Sequence, residues 1–121
     1  MMDSKQIRGE SYLISYDPAT VTVDCQGTMR NMGMQAYAPL EDLLMEIMGE
    51  EPSQITLDLR GLKLLNSAGI RVLSKFIIQV RNRKTMRVVL KGSKEVTWQE
   101  SSLTNLKRLM PMALLEWEEE G

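Results

Sequence analysis

The stretch Ile55-Thr56-Leu57-Asp58-Leu59-Arg60-Gly61-Leu62-Lys63-Leu64-Leu65-Asn66-Ser67-Ala68-Gly69-Ile70 changes its hydrophobic period part-way along. Ile55, Leu57 and Leu59 alternate with Thr56, Asp58 and Arg60, a two-residue period that predicts a strand, with Gly61 expected to end it. Beyond a short leucine-rich connection, Ile70, Leu73, Ile77 and Val80 recur at spacings of three and four, while Arg71, Lys75, Gln79 and Arg81 lie mostly off that stripe. A helix from Ser67 to about Asn82 follows. A strand leading directly into an amphipathic helix is one half of a right-handed crossover, which makes the chain an α/β protein.

Outward from that unit the same signals repeat. On the N-terminal side, Tyr12, Ile14 and Tyr16 share one face of an extended segment, and Val21, Val23 and Cys25 share one face of another. Asp17-Pro18-Ala19-Thr20 between them is a turn in which proline pre-sets φ, so a β-hairpin is expected, its second strand closed by Gly27. Leu40, Leu43, Leu44, Ile47 and Met48 define a helix over Ala38 to Gly49, with Pro39 at a tolerated early position. On the C-terminal side a strand is expected over Thr85 to Lys91, followed by Gly92. Next comes a helix opened by a Thr97/Glu100 capping box and stopped by Pro111, then a strand over Ala113 to Trp117. The order β-β-α-β-α-β-α-β predicts one domain over residues 1–121: a mixed sheet with helices packed on it, a core over about 10–118 and an acidic tail over 118–121.

Composition removes whole classes of function. Among 121 residues there is no histidine and a single cysteine, Cys25, so neither a Ser-His-Asp triad nor a Cys-His dyad nor a histidine-bearing metal site is available. No glycine-rich phosphate loop occurs, and the carboxylates Asp24, Asp42 and Asp58 have no histidine base beside them. We therefore expect no catalytic residue, no metal and no cofactor, and a protein that is not an enzyme. Fifteen Lys and Arg against sixteen Asp and Glu leave no field to attract nucleic acid or anionic lipid. The basic stretch Arg81, Arg83, Lys84, Arg87 reads as a solvated helix end, its cations near the negative pole of the helix. No apolar run approaches the roughly 20 residues that span a bilayer, and Lys5, Arg8 and Glu10 stand where a secretory leader would be apolar, so a cytoplasmic protein is expected.

The residues that carry chemical information lie where the central helix begins. There the first-turn N–H groups have no intrahelical partner and the helix dipole is positive, so the Ser67 oxygen is expected to cap the helix, and a phosphate on it would meet favourable charge. Such a phosphate adds about −1.5 to −2 charges to a chain whose formal net charge is −1. Asp58-Leu59, Leu62 and Leu65, then Asn66-Ser67-Ala68-Gly69-Ile70, resemble the STAS domain family, the bacterial anti-sigma factor antagonists and their relatives. In that family a strand and a D-L-x-x-hydrophobic stretch precede D-S-S-G-hydrophobic at a helix start. The resemblance implies a protein-protein interaction module that docks to an anti-sigma factor, a serine kinase or another signalling protein. It also implies that Ser67 is the phospho-acceptor that switches docking.

Asn66 stands where the family has aspartate and Ala68 where it has a second serine, while Arg30 occupies a position that is often acidic. Set beside the family pattern, Trp98-Gln99-Glu100-Ser101-Ser102 lengthens the usual C-terminal helix segment by several residues. Asn66 has a local role open to it as well, capping or forming a turn through its own side chain. Gly69 allows close backbone approach at the helix start. Met29, Met32 and Met34, with Arg30 among them, form a cluster around Gly33 that suits either an adaptable partner surface or core packing. A constitutive scaffold in which Ser67 is only a cap accounts for the same residues, and a nucleotide-binding or small-ligand domain is the third reading.

Overall fold

The computed structural model describes residues 2–30 and 33–118. Six strands, β1 (Lys5–Arg8), β2 (Tyr12–Asp17), β3 (Thr22–Met29), β4 (Gln54–Leu65), β5 (Arg87–Ser93) and β6 (Leu114–Glu118), form one sheet in sequence order. β1 through β3 are antiparallel, and β3 through β6 are parallel. The three parallel connections carry α1 (Ala38–Gly49), α2 (Ser67–Arg83) and α3 (Gln99–Leu109). Successive right-handed crossovers that all step the same way along a sheet place their helices on the same face.

Burial agrees with that arrangement. Ile14, Val23, Cys25, Ile55, Leu57, Leu59, Val88 and Leu90 point to the helices and are buried, joined by Leu44, Ile47, Phe76, Ile77, Val80, Leu103 and Leu106 from the helix side. On the opposite face, Ser15, Asp24, Asp58 and Lys91 lie in one cross-strand row and are half-buried. An antiparallel and parallel sheet with one covered face accounts for the hydrophobic alternation on which the strand expectations rest.

Four boundaries differ from the sequence expectation. β1 is an additional strand, pairing Lys5 with Tyr16 through Arg8 with Leu13. Only Ile7 among its residues is apolar, so it has no alternation to read; its charges blunt an exposed sheet edge, and Lys5 is tied to Glu46 of α1 at 2.8 Å. Gly61 does not end β4, nor does Gly27 end β3. β4 runs on to Leu65 with extra residues in two places, between the pairs Asp24/Asp58 and Gln26/Gly61 and between Gly27/Leu62 and Thr28/Leu64. At Gly61 the Gln26 side chain comes to 3.0 Å from where a Cβ would sit, so the glycine serves a close approach inside a bulged strand. Gly27 has φ of +95°, and a side chain there would collide with the Ser11 carbonyl across the hairpin. β5 lies over Arg87–Ser93, not Thr85 to Lys91, so Gly92 is within the strand.

The fourth difference is at α3, where Thr97 makes no cap. The helix begins at Gln99 after Trp98, without a side-chain cap hydrogen bond. Gln99 is fully buried and works elsewhere: its amide Nε2 donates to Leu59 O at 2.6 Å and Leu62 O at 3.0 Å, and its Oε1 accepts from Ser93 N at 2.8 Å. Trp98 Nε1 donates to Leu62 O as well, at 3.1 Å. β5 stops pairing with β4 after Lys91 and Asp58, and the bulges turn the Leu59 and Leu62 carbonyls to the same side. Gln99 thus occupies the place of a missing strand, satisfying groups whose burial without partners is costly. Trp98 and Gln99 thus have a structural role at the opening of α3.

Gln99→Leu keeps the side-chain volume but leaves Ser93 N and Leu59 O unpaired. At about 1–3 kcal/mol for each buried unsatisfied group, the expected loss is about 2–4 kcal/mol, read from the urea unfolding curve; a loss below about 0.5 kcal/mol contradicts this role.

Candidate functional site

α2 starts where β4 ends, one residue beyond Leu65. Asn66, in extended conformation with ψ of 175°, is its N-cap, and the side-chain Oδ1 accepts from Gly69 N at 3.0 Å. The expectation that Ser67 caps the helix is therefore corrected: Asn66 caps it, and Ser67 is the first helical residue. Position explains this. A cap needs extended backbone and an acceptor reaching the third helical N–H, and Asn66 supplies both.

The same Oδ1 accepts a 2.6 Å hydrogen bond from the Tyr37 hydroxyl, and Asn66 N donates to Met29 O at 3.0 Å. Tyr37 closes the 3₁₀ turn Met34–Tyr37 before α1 and is fully buried. Its hydroxyl also lies 3.4 Å from Met29 O. Asn66 thereby joins the end of β3, the turn before α1 and the start of α2. Gly69 is held to its identity by that packing: a Cβ would lie 2.6 Å from the Tyr37 hydroxyl and overlap the Leu65 side chain. The close approach at Gly69 is legible in the sequence, whereas the role of Tyr37 is not. A lone buried tyrosine 29 residues from its partner leaves no periodic signal.

Ser67 is exposed, and its hydroxyl makes no hydrogen bond among the described residues. The first turn of α2 holds no acidic side chain. Arg71, four residues onward and so on the helix face shared with Ser67, is exposed and has no ion pair among the described residues. A phosphoryl group at Ser67 would meet free N–H groups, the positive end of a 17-residue helix and an available arginine. Ala68 is half-buried against the core.

The methionine cluster divides. Met29 is 1% exposed and belongs to the core, because it sits at the helix-facing end of β3, paired with Leu65; this corrects the surface reading for that residue. Met34 is 48% exposed and Arg30 is exposed, while Met32 lies outside the described residues, as do residues 119–121 of the expected acidic tail. Leu64, at 39% exposure, is a further large apolar side chain in the segment before Asn66.

The carboxylates Asp24 and Asp58 meet in register on the open sheet face, away from the helices, and Asp42 is exposed on α1. Arg60 grips Asp58 through two bonds, at 2.9 and 2.7 Å. Burial acts to raise the Asp58 carboxyl, but the Arg60 hydrogen bonds, with Lys91 nearby, bring it below the ordinary carboxylate value. Burial and the Asp58 charge push Asp24 up. No group of three or more metal-ligating side chains exists among the described residues. Cys25 is buried, and desolvation pushes its thiol up to about 12, the state of an inert structural cysteine. Among the described residues no helix is long and apolar enough to cross a membrane.

Residues 34–116 match the family model of the STAS domain. The chain belongs to the STAS domain family. Among solved structures, apo-SiaC from Pseudomonas aeruginosa is 12% identical with a TM-score of 0.72, covering 98% of this chain and 100% of that one. SiaC also occurs in a crystal structure of the diguanylate cyclase SiaD with its activator SiaC from P. aeruginosa, which gives 11% identity, a TM-score of 0.71 and coverage of 94% and 99%. An anti-sigma factor antagonist from Mycobacterium paratuberculosis is 18% identical with a TM-score of 0.58, covering 94% and 84%. At these identities the likeness is one of fold. Comparison with curated proteins finds no match.

Burial, with the charge of Tyr12 adding to it, pushes the Tyr37 phenol up to about 12 from an ordinary value of 10.0, so it stays protonated and donates to Asn66. A raised folded-state value means stability is fully present below pH 10 and is lost as pH rises toward 12. Tyr37→Phe is expected to cost about 1 kcal/mol at neutral pH and to flatten part of that alkaline loss, both measurable by chemical unfolding between pH 7 and 11. Equal alkaline slopes in the two proteins would sink the assignment.

Proposed function

We propose that this chain is a docking module of a signalling switch, in which phosphorylation of Ser67 changes how it binds a protein partner. One observation carries the reading: the Ser67 hydroxyl is exposed at the start of α2 while Asn66 supplies the cap, so a phosphate adds charge without removing a structural bond. Membership of the STAS family supports it. So does the fold shared with SiaC, seen in complex with a diguanylate cyclase, and with an anti-sigma factor antagonist. The partner is a signalling protein, an anti-sigma factor or serine kinase in the antagonist pattern.

The surface around the acceptor fits docking. Exposed Met34 and Leu64 offer adaptable apolar contact near the start of α2, and Arg30 and Arg71 offer charge. In the unmodified protein a partner covers this patch. A phosphate at Ser67 draws Arg71 to itself and brings about two negative charges into the interface, at a desolvation cost that favours release.

Asn66 in place of an aspartate also fits a switch, because the amide oxygen caps α2 without placing a carboxylate beside the phosphate. Affinity capture from the native cell compares wild type, Ser67→Ala and Ser67→Asp, with mass spectrometry of the chain before and after incubation with the cognate kinase and ATP. Phosphate on Ser67 and a partner held by wild type and Ser67→Ala but lost at least tenfold by Ser67→Asp are expected. Identical partner retention by all three proteins means a constitutive scaffold. Stability separates the two neighbouring residues: Ser67→Ala should change it by less than about 0.5 kcal/mol, and Asn66→Ala should cost about 1–2 kcal/mol.

A further inference from the structure

The parallel strands β3 to β6 deliver Ser67 at one edge of the molecule; the opposite edge, about 25 Å away along α2 at 1.5 Å per residue, carries the basic stretch of the sequence. There the C-terminal ends of α2 and α3 and the residues leading into β5 and β6 line an open cleft of about 530 Å³, with the Arg81, Lys84 and Arg87 side chains exposed. Arg81, Lys84 and Arg87 line it, together with Met86, Met110 and Pro111. That volume lies within the range of about 300–1,000 Å³ of small-molecule sites, which combine apolar walls with a few placed polar groups.

Compensation of the helix ends does not exhaust these charges. Each helix C-terminus carries about half a negative charge, and two helices end here against three cations in the lining. Arg83, next to them in sequence, is matched by Glu51 at 3.8 Å, but Arg81, Lys84 and Arg87 have no ion pair among the described residues. Arg81 is positioned by donating to Leu109 O at 3.1 Å. Lys84 sits in left-handed backbone with φ of +61° at the end of α2, and Arg87 N is tied to Ser53 O at 2.9 Å. The backbone that presents the cations is thus fixed. Met86 and Met110, both at least nine-tenths buried, form an apolar floor, and Met112, 77% exposed, stands at the opening.

We propose that this cleft binds a small amphiphilic organic anion, with its carboxylate or phosphate head on Lys84 and Arg87 and its apolar part on Met86, Met110 and Pro111. Either head satisfies the charge, and guanidinium accepts both in a two-bond geometry. The thioether side chains adapt to an alkyl chain or a ring without a unique fit. This site is independent of the Ser67 reading.

The full chain, labelled with ¹⁵N, is titrated below micelle-forming concentrations with octyl phosphate and, separately, octanoate; octanol and inorganic phosphate serve as comparisons. Saturable amide shifts centred on residues 84–87, Met110 and Met112 are expected with at least one of the two anions, and the tighter one identifies the head group. Lys84→Glu/Arg87→Glu should weaken that binding about tenfold or more while the unfolding midpoint is retained; Arg87→Gln gives the same reading, with a smaller loss, if the double variant does not fold. The proposal is overturned if octanol or inorganic phosphate alone binds as tightly, if the shifts centre elsewhere or are absent, or if a folded variant binds undiminished.

Discussion

Everything that makes the start of α2 a usable site depends on one side-chain oxygen, Asn66 Oδ1, accepting two hydrogen bonds at once, from Gly69 N and from the Tyr37 hydroxyl. Either bond alone would serve one element. Together with Asn66 N on Met29 O they fix the end of β3, the turn before α1 and the first turn of α2 relative to one another. The geometry requires an acceptor and not a negative charge. An asparagine can therefore stand where the family pattern has aspartate, and in a half-buried position it avoids the desolvation cost of a carboxylate. Relieved of capping, Ser67 keeps an exposed hydroxyl with no hydrogen bond among the described residues.

A second polar device holds the strand that delivers this site. β4 outruns its partner β5, and a strand extending beyond its neighbour leaves carbonyls with nothing to accept from. Gln99 and Trp98 fill that gap from the opening of α3, and Gln99 closes the circuit by accepting from Ser93. Gly92 is needed at the same place: a Cβ there would press on Leu103 and lie 2.8 Å from Trp117. The extra length of β4, the two bulges that shape it and the residues before α3 are thus a single feature, and it carries α2 to the position where Ser67 is presented.

How much of this the sequence makes legible follows from the range of each interaction. The strand cores and the three helices are readable because their signals are local periods: Ile55, Leu57 and Leu59 in one case, Ile70, Leu73, Ile77 and Val80 in the other. β1 is unreadable because an edge strand of Lys, Gln, Ile and Arg has no buried face to alternate. Gly61, Gly27 and Gly92 read as strand ends because glycine is a common breaker, whereas here two of them sit at bulges and one beneath a tryptophan, places visible only after the strands are paired. Ser67 and its neighbours Asn66 and Gly69 are legible as a motif, but the division of labour among them is not. Whether a serine caps a helix or follows the cap depends on one residue of register, which the extended backbone of Asn66 decides. Tyr37 and Gln99 are invisible for a common reason: each is a single polar group spending its hydrogen bonds on elements about 30 to 40 residues away.

The zero count of histidine acquires a physical meaning from this arrangement. Cys25 and Tyr37 are pushed up to about 12 and Asp58 is drawn down onto Arg60. A change of a pH unit near 7 therefore leaves their charges as they were. Both proposals made for this fold bring charge in from outside, one at an exposed hydroxyl at the positive end of α2 and the other at the cations at the opposite end of the same helix. Because α2 packs against both α1 and α3 and joins β4 to β5, a perturbation at either end acts on the same rigid element.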